Sequence, residues 1–271
     1  MPVSTADKRT TFHKLHETGC FVIPNPYDVG SARALEQLGF KALASTSAGF
    51  AWTIGKSDTH VTLDEKCAHL TAICGAVDLP VNADFEGGFA DEADKVAANV
   101  ARAVKTGVAG LSIEDSTGDA AKPLYERAHA IARIKAARAA IDADNSRVLL
   151  TGRCEGFLVG QNDLDMVIDR LKAYSEAGAD CLYAPGIKTR EQISAIVKAV
   201  HPKPVNLLIG ASGLSLAEAE GLGVRRISVG GSLARTAWAA FMRTAREMAE
   251  KGTFTELANG YPGAELNKMF R

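Results

Sequence analysis

The acidic residues that could do chemistry in this 271-residue chain stand where short apolar runs end. The run PVNADF (80–85) leads into Asp84 and Glu86, then Gly87 and Gly88. Side chains two apart on a strand share a face, so Asp84 and Glu86 are expected on one side, with glycines leaving room for close approach. The run AGLSIED (109–115) ends in Glu114 and Asp115. Neighbouring strands lie about 4.7 to 4.9 Å apart, so one of these acids can join the first two. Three clustered carboxylates repel one another unless protons or a cation intervene, and an oxygen-only site without His or Cys favours Mg2+ or Mn2+ over zinc. The expected metal set is Asp84 and Glu86 with either Glu114 or Asp115. Taken singly, each acid could instead cap a helix or pair with a lysine.

Beside them, VLLTGR (148–153) ends in Arg153, followed two residues later by Glu155. An arginine there can clamp a carboxylate with two parallel hydrogen bonds and stabilise an oxyanion as it forms; the competing reading is a structural Arg153–Glu155 salt bridge. KALAST (41–46) runs into Thr46, Ser47 and Ala48, small residues whose amides could cradle an anion, although such clusters also make ordinary turns. Asp58, in GKSD (55–58), could reach a metal's water shell or merely hold a turn. Asn206, in PVNLLI (204–209), and Glu155 are counted with the substrate contacts. The Gly- and Ala-rich segment STGDAAKPLY (116–125) has the composition of a lid that could close Lys122 on an anionic substrate. An exposed lysine is more commonly just solvated.

These residues need elements that gather them. Eight short apolar runs qualify as strands: 20–24, 41–46, 80–85, 109–115, 148–153, 181–185, 204–209 and 225–230. Between them lie segments of helical spacing that stop at glycine, such as 91–107 and 164–178. Strands alternating with crossover helices predict a parallel sheet, and eight right-handed repeats close into a single (β/α)8 barrel spanning 1–271, for which about 250 residues is typical. An open doubly wound sheet is the alternative. In a barrel, reactive groups sit where strands end, which is where the acids and Arg153 fall.

Composition narrows the partners. Basic and acidic residues balance at 31 and 32, so nothing favours nucleic acid or an anionic membrane, and small molecules are the better expectation. The first residues are polar where a signal peptide needs an apolar stretch, and no run of 18 apolar residues occurs, so a cytoplasmic location is expected. Five cysteines without a CxxC pair suggest neither a disulfide framework nor structural zinc.

With these residues assembled, the chain resembles the isocitrate lyase and phosphoenolpyruvate mutase superfamily, especially its carboxyphosphonoenolpyruvate mutase-like branch. The resemblance rests on PNPYDVGSAR (24–33), ASTSAG (44–49), GKSD (55–58), NADFEGG (82–88), GLSIED (110–115), GRCEGF (152–157), GADCLYAPG (178–186), ISVGGSLAR (227–235) and AELNKMF (264–270). It implies Mg2+ held by Asp84, Glu86 and Glu114, partly through water, with Asp58 nearby. A 2-oxo carboxylate would chelate the metal, take bonds from the Thr46–Ala48 amides and meet Arg153. The implied chemistry breaks or rearranges a C–C or C–P bond beside a pyruvate unit through an enolate-like oxyanion. The resemblance also implies a homodimer or homotetramer that exchanges its last helix, for which Trp238, Phe241 and Phe254 would supply apolar contacts. Two departures matter: no KKCGH lid lies between Asp115 and Arg133, and the short lid offers Lys122 but no Asn. These departures disfavour isocitrate or methylisocitrate cleavage and mutase chemistry by those routes, so a lyase or decarboxylase on an oxaloacetate-sized acid is the first expectation and a phosphonopyruvate or carboxyphosphonoenolpyruvate mutase or hydrolase the alternative. In addition, Glu86 stands where many relatives carry Asp. A Schiff-base aldolase is a competing class, with Lys188 and Lys41 as poor candidates, and a non-catalytic 2-oxo acid binder is a third.

Overall fold

The computed structural model describes residues 2–210 and 213–271. Its strands are β1 (Phe21–Val22), β2 (Leu43–Ala44), β3 (Val81–Asp84), β4 (Gly110–Glu114), β5 (Leu149–Arg153), β6 (Cys181–Tyr183), β7 (Val205–Leu208) and β8 (Arg226–Ser228). All pairings are parallel, in the order β1-β8-β7-β6-β5-β4-β3-β2. The seam between β1 and β2 is spanned by the Ala44 amide, which donates to the Pro24 carbonyl at 3.0 Å. The architecture is the expected (β/α)8 barrel. Each strand falls inside its expected window and is shorter.

Helices α1 (Thr5–Leu15), α2 (Val29–Gln37), α3 (Ser47–Thr53), α4 (Leu63–Ala76), α5 (Ala93–Val104), α6 (Arg127–Ala143), α7 (Leu164–Glu176), α8 (Arg190–Val200), α9 (Leu216–Gly221), α10 (Ser232–Lys251) and α11 (Gly263–Met269) complete the chain. Caps fix several starts: the side chains of Asp28, Thr46, Thr62, Asp163, Thr189 and Ser215 each accept a first-turn amide. The polar N-terminal segment, which carried no structural signal, forms α1 and plugs the barrel bottom. Its fully buried Phe12 packs with Ile23, Ala42, Ala44, Ala109 and Leu149.

Period-two alternation sorts each strand. Ala83, Leu111, Ile113, Leu150, Leu182, Leu207 and Ile227 join the main core between sheet and helices. Their neighbours Asn82, Asp84, Ser112, Glu114, Thr151, Arg153, Asn206, Arg226 and Ser228 take the other face, the barrel interior. An interior that polar is not the usual packing of branched apolar layers; it makes room for a ligand.

Candidate active site

A cavity of about 180 Å³ opens among the strand ends, lined by residues that include Thr46, Ser47, Ala48, Asp58, Asp84, Arg153 and Asn206. Liquid water occupies about 30 Å³ per molecule, so this space suits a ligand of a few heavy atoms.

Arg153 organises the mouth. Its Nη1 lies 3.3 Å from Asp84 Oδ1 and 3.2 Å from Glu114 Oε2, and its Nε donates to Glu155 Oε1 at 2.5 Å. The guanidinium also stands 5.2 Å from the centre of the Tyr183 ring. Register explains the gathering, because Glu114 pairs with Arg153 across β4 and β5 and Arg153 pairs with Tyr183 across β5 and β6. Burial alone would lower the Arg153 pKa, but Glu114, Glu155 and Asp84 outweigh it and raise it well above the ordinary value.

The acids divide by environment. Burial pushes Glu114 up to about 8, against the pull of Arg153, with Glu155, Asp84 and Glu86 adding to the rise. Burial likewise pushes Glu86 up to about 7, opposed by Lys66. Asp84 goes the other way: its burial is outweighed by Arg153, Lys66 and the Ser47 amide, which hold it below the usual carboxylate range. Buried carboxyls with raised pKa values are those that a nearby cation would let ionise.

Several sequence expectations change here. β3 ends at Asp84, and Glu86 sits beyond it in a turn with φ +49°, so the two acids converge through a left-handed turn rather than a shared strand face. Arg133, from α6, fixes that turn by donating to the Gly87 and Ala90 carbonyls. Of the predicted acids, Asp84 and Asp58 line the cavity while Glu86, Glu114 and Glu155 do not; Glu155 braces Arg153 from behind, as in the salt-bridge reading. The Ser47 amide is already bonded to Asp84 Oδ2 at 3.0 Å and the Thr46 hydroxyl accepts from the Gly49 amide as the cap of α3, so the anion cradle is partly spoken for. Asp58 is exposed at the rim. Asp115 points away from the barrel interior, into bonds with the Glu155 amide, Arg170 and Tyr174.

Lys122 is exposed on a small hairpin closed by the Ser116–Leu124 bridge and is absent from the cavity wall. Lys41 and Lys188 are exposed, and no lysine among the described residues lines this cavity. Among residues the sequence reading passed over, Asn25, Asn82, Ser112, Tyr183, Arg226 and Ser228 line it. Their signal was polar residues alternating within otherwise apolar strands.

The donor set suits a hard cation. It is all oxygen, and the buried Glu86 Oε1 has no hydrogen-bond partner. With Arg153 drawn against Asp84 and Glu114, no three His, Cys, Asp or Glu side chains among the described residues enclose a metal-sized point. Mg2+ commonly takes only one or two carboxylates and keeps its waters, so a closed cage is not required.

Fold and site thus define a barrel enzyme with an acid-and-arginine mouth. The model of the phosphoenolpyruvate phosphomutase family matches residues 12–249, and the chain belongs to this family, within the isocitrate lyase/PEP mutase superfamily. It is similar to a lyase/mutase structure from Burkholderia cenocepacia J2315, with a TM-score of 0.95 and 46% identity over 98% of this chain and 97% of the other. An oxaloacetate decarboxylase of Rhodopseudomonas palustris (strain BisB5) is 31% identical over 230 residues, 79% of this chain and 74% of its own length. A structure of oxaloacetate acetylhydrolase with its product oxalate superposes with a TM-score of 0.86 at 28% identity, over 99% of this chain and 94% of the other. The chain is accordingly an enzyme of the superfamily's lyase/mutase type.

Proposed function

We propose that the protein is a Mg2+-dependent lyase that cleaves a C–C bond beside the 2-oxo carboxylate of an oxaloacetate-sized acid. The carrying observation is Arg153, a part-buried guanidinium facing a small cavity while bound to Asp84, Glu114 and Glu155. The oxaloacetate decarboxylase relatives support the choice of acid.

Asp84, Glu86 and Glu114 would hold Mg2+, with Asp58 at the rim reaching its waters. The ion's chemistry there is to withdraw charge from the substrate's 2-oxo group. Arg153 contributes charge-assisted donors to the same end of the substrate, so negative charge developing on the C2 oxygen meets a cation that is already in position. Glu155 anchors the guanidinium through its Nε. In decarboxylation the C3–C4 bond breaks, CO2 leaves, its electron pair forms the enolate of pyruvate, and C3 then takes a proton. Tyr183, a phenol that lines the cavity beside Arg153, is placed to give that proton.

The test is release of pyruvate and CO2 from oxaloacetate above the enzyme-free rate. Tyr183→Phe should slow protonation while leaving substrate binding within about twofold, read as a fall in kcat with little change in KM. Among the described residues no lysine lines the cavity, which disfavours a Schiff-base route. Borohydride reduction with pyruvate should accordingly leave the protein mass unchanged.

A further inference from the structure

Arg133 joins two parts of the molecule, the turn that carries Glu86 and the foot of the hairpin that follows β4. The turn is costly to hold. Glu86 and Phe89 sit at φ +49° and +57°, a left-handed region that residues other than glycine seldom occupy, and Gly88 between them is at +76°. Such backbone persists only where its surroundings over-determine it. Two side chains from the helix layer do so here. Asn99, on α5, donates to the Gly88 carbonyl at 2.9 Å and to the Phe89 carbonyl at 3.3 Å. Arg133, on α6, gives its Nη2 to the carbonyls of Gly87 and Ala90, the latter at 3.0 Å.

The guanidinium is itself held from the other side. Arg133 is 1% exposed, its Nε and Nη1 have no hydrogen-bond partner, and the Tyr125 ring lies over it, 3.9 Å from Cζ to the ring centre, in a cation–π contact. Tyr125 closes the 116–125 hairpin, its amide donating to the Asp115 carbonyl at 3.0 Å. Its hydroxyl donates to Asp91 Oδ1, just past the turn, and His129 Nε2 donates to the Asp91 carbonyl at 2.9 Å. His129 and Arg133 are four residues apart on α6 and share a face, so with Tyr125 they grip residues 87–91 together. We propose that Arg133 is a positioning residue that couples the hairpin to the metal turn: it keeps Glu86 in place for the cation, and the Tyr125 ring keeps Arg133 in place. This rests on the Mg2+ reading above and deepens it, because the order of the hairpin is then passed to an acid that holds the ion.

The experiment is titration of the full chain with Mn2+ alone, the free ion being followed by its electron paramagnetic resonance signal. Losing a group that orients a metal-holding side chain commonly costs tenfold to a hundredfold in affinity, so Arg133→Met should weaken Mn2+ binding by at least about tenfold. Because Arg133 acts through Glu86, adding Arg133→Met to Glu86→Gln should cost no more than about twofold beyond Glu86→Gln itself. Tyr125→Phe keeps a ring over the guanidinium and should stay within about twofold of the wild type, whereas Tyr125→Leu should weaken Mn2+ about threefold or more. Circular dichroism checks the fold of each variant before titration. If Arg133→Met does not fold, Arg133→Lys replaces it, keeping a donor but not the planar stack, with an expected loss of about threefold. Wild-type affinity in the Arg133 variant overturns the coupling, as do losses that multiply in the double variant or equal affinities in Tyr125→Phe and Tyr125→Leu. A wild type that binds no Mn2+ instead overturns the cation reading itself, and the coupling with it.

Discussion

Arg153 is one cation bonded to three acids, with a fourth, Glu86, close behind. With Glu86 and Glu114 raised by burial and Asp84 held down by Arg153 and Lys66, each side chain has a distinct expected sensitivity. Arg153→Met should lower kcat/KM for oxaloacetate by about 10³ or more, the scale for losing a preorganised oxyanion donor, with an unchanged circular dichroism spectrum. Lys122→Ala should stay within about twofold, because its side chain is exposed on the hairpin and away from the cavity. The raised acids also set a pH dependence. Glu86 and Glu114 titrate near 7 and 8 in the folded chain, above the ordinary glutamate value of about 4.3. The folded state therefore binds protons that the unfolded state releases, and stability falls as pH rises from about 4.3 to about 8. Melting temperature in EDTA should drop from about pH 5 to about pH 8, and added Mg2+ should raise it more at the higher pH. A flat profile, or a Mg2+ effect equal at both ends, contradicts the assignment of these acids to the metal.

At the scale of elements, the site depends on strands that present Asp84, Glu114 and Arg153 at one level. β5 packs closely on α7 through Gly152, where an added Cβ would meet Tyr174 Cβ at 2.9 Å and Ala179 Cβ at 3.2 Å. Gly152→Ala should therefore cost about 1 to 3 kcal/mol in denaturant unfolding and displace Arg153, lowering activity beyond the loss of folded protein. Much of this level was legible in the sequence. Each of the eight strands lay within an apolar run, since alternation such as Leu111, Ser112, Ile113, Glu114 separates core from interior without tertiary information. Where the sequence misled, geometry intervened after a strand had ended: Glu86 reaches the site through a left-handed turn, and Glu155 turns behind Arg153. Period-two reasoning stops at the last strand residue. Arg226 at the start of β8, Asn82 inside β3 and Tyr183 at the end of β6 were missed because they were read as parts of apolar runs, and only a closed barrel makes such inward-facing positions part of a site.

At the scale of the molecule, α10 and the segment that follows it leave large apolar side chains uncovered. Trp238, Phe241 and Phe254 are 41%, 60% and 64% exposed, so ordinary packing within the chain does not account for them. We propose that a second copy covers this face in a homodimer or homotetramer, with the last helix exchanged. Light scattering should return a mass of two or four chains, and Phe241→Glu should shift it toward one. No helix among the described residues is long and apolar enough to cross a membrane. The central claim, a cation-dependent lyase acting on a small 2-oxo acid, is tested most directly by following oxaloacetate consumption with Mg2+ and with EDTA, each corrected for the enzyme-free rate. Turnover that requires Mg2+ and disappears in Arg153→Met is the predicted result. Turnover unaffected by EDTA, or none above the enzyme-free rate in either condition, would contradict it.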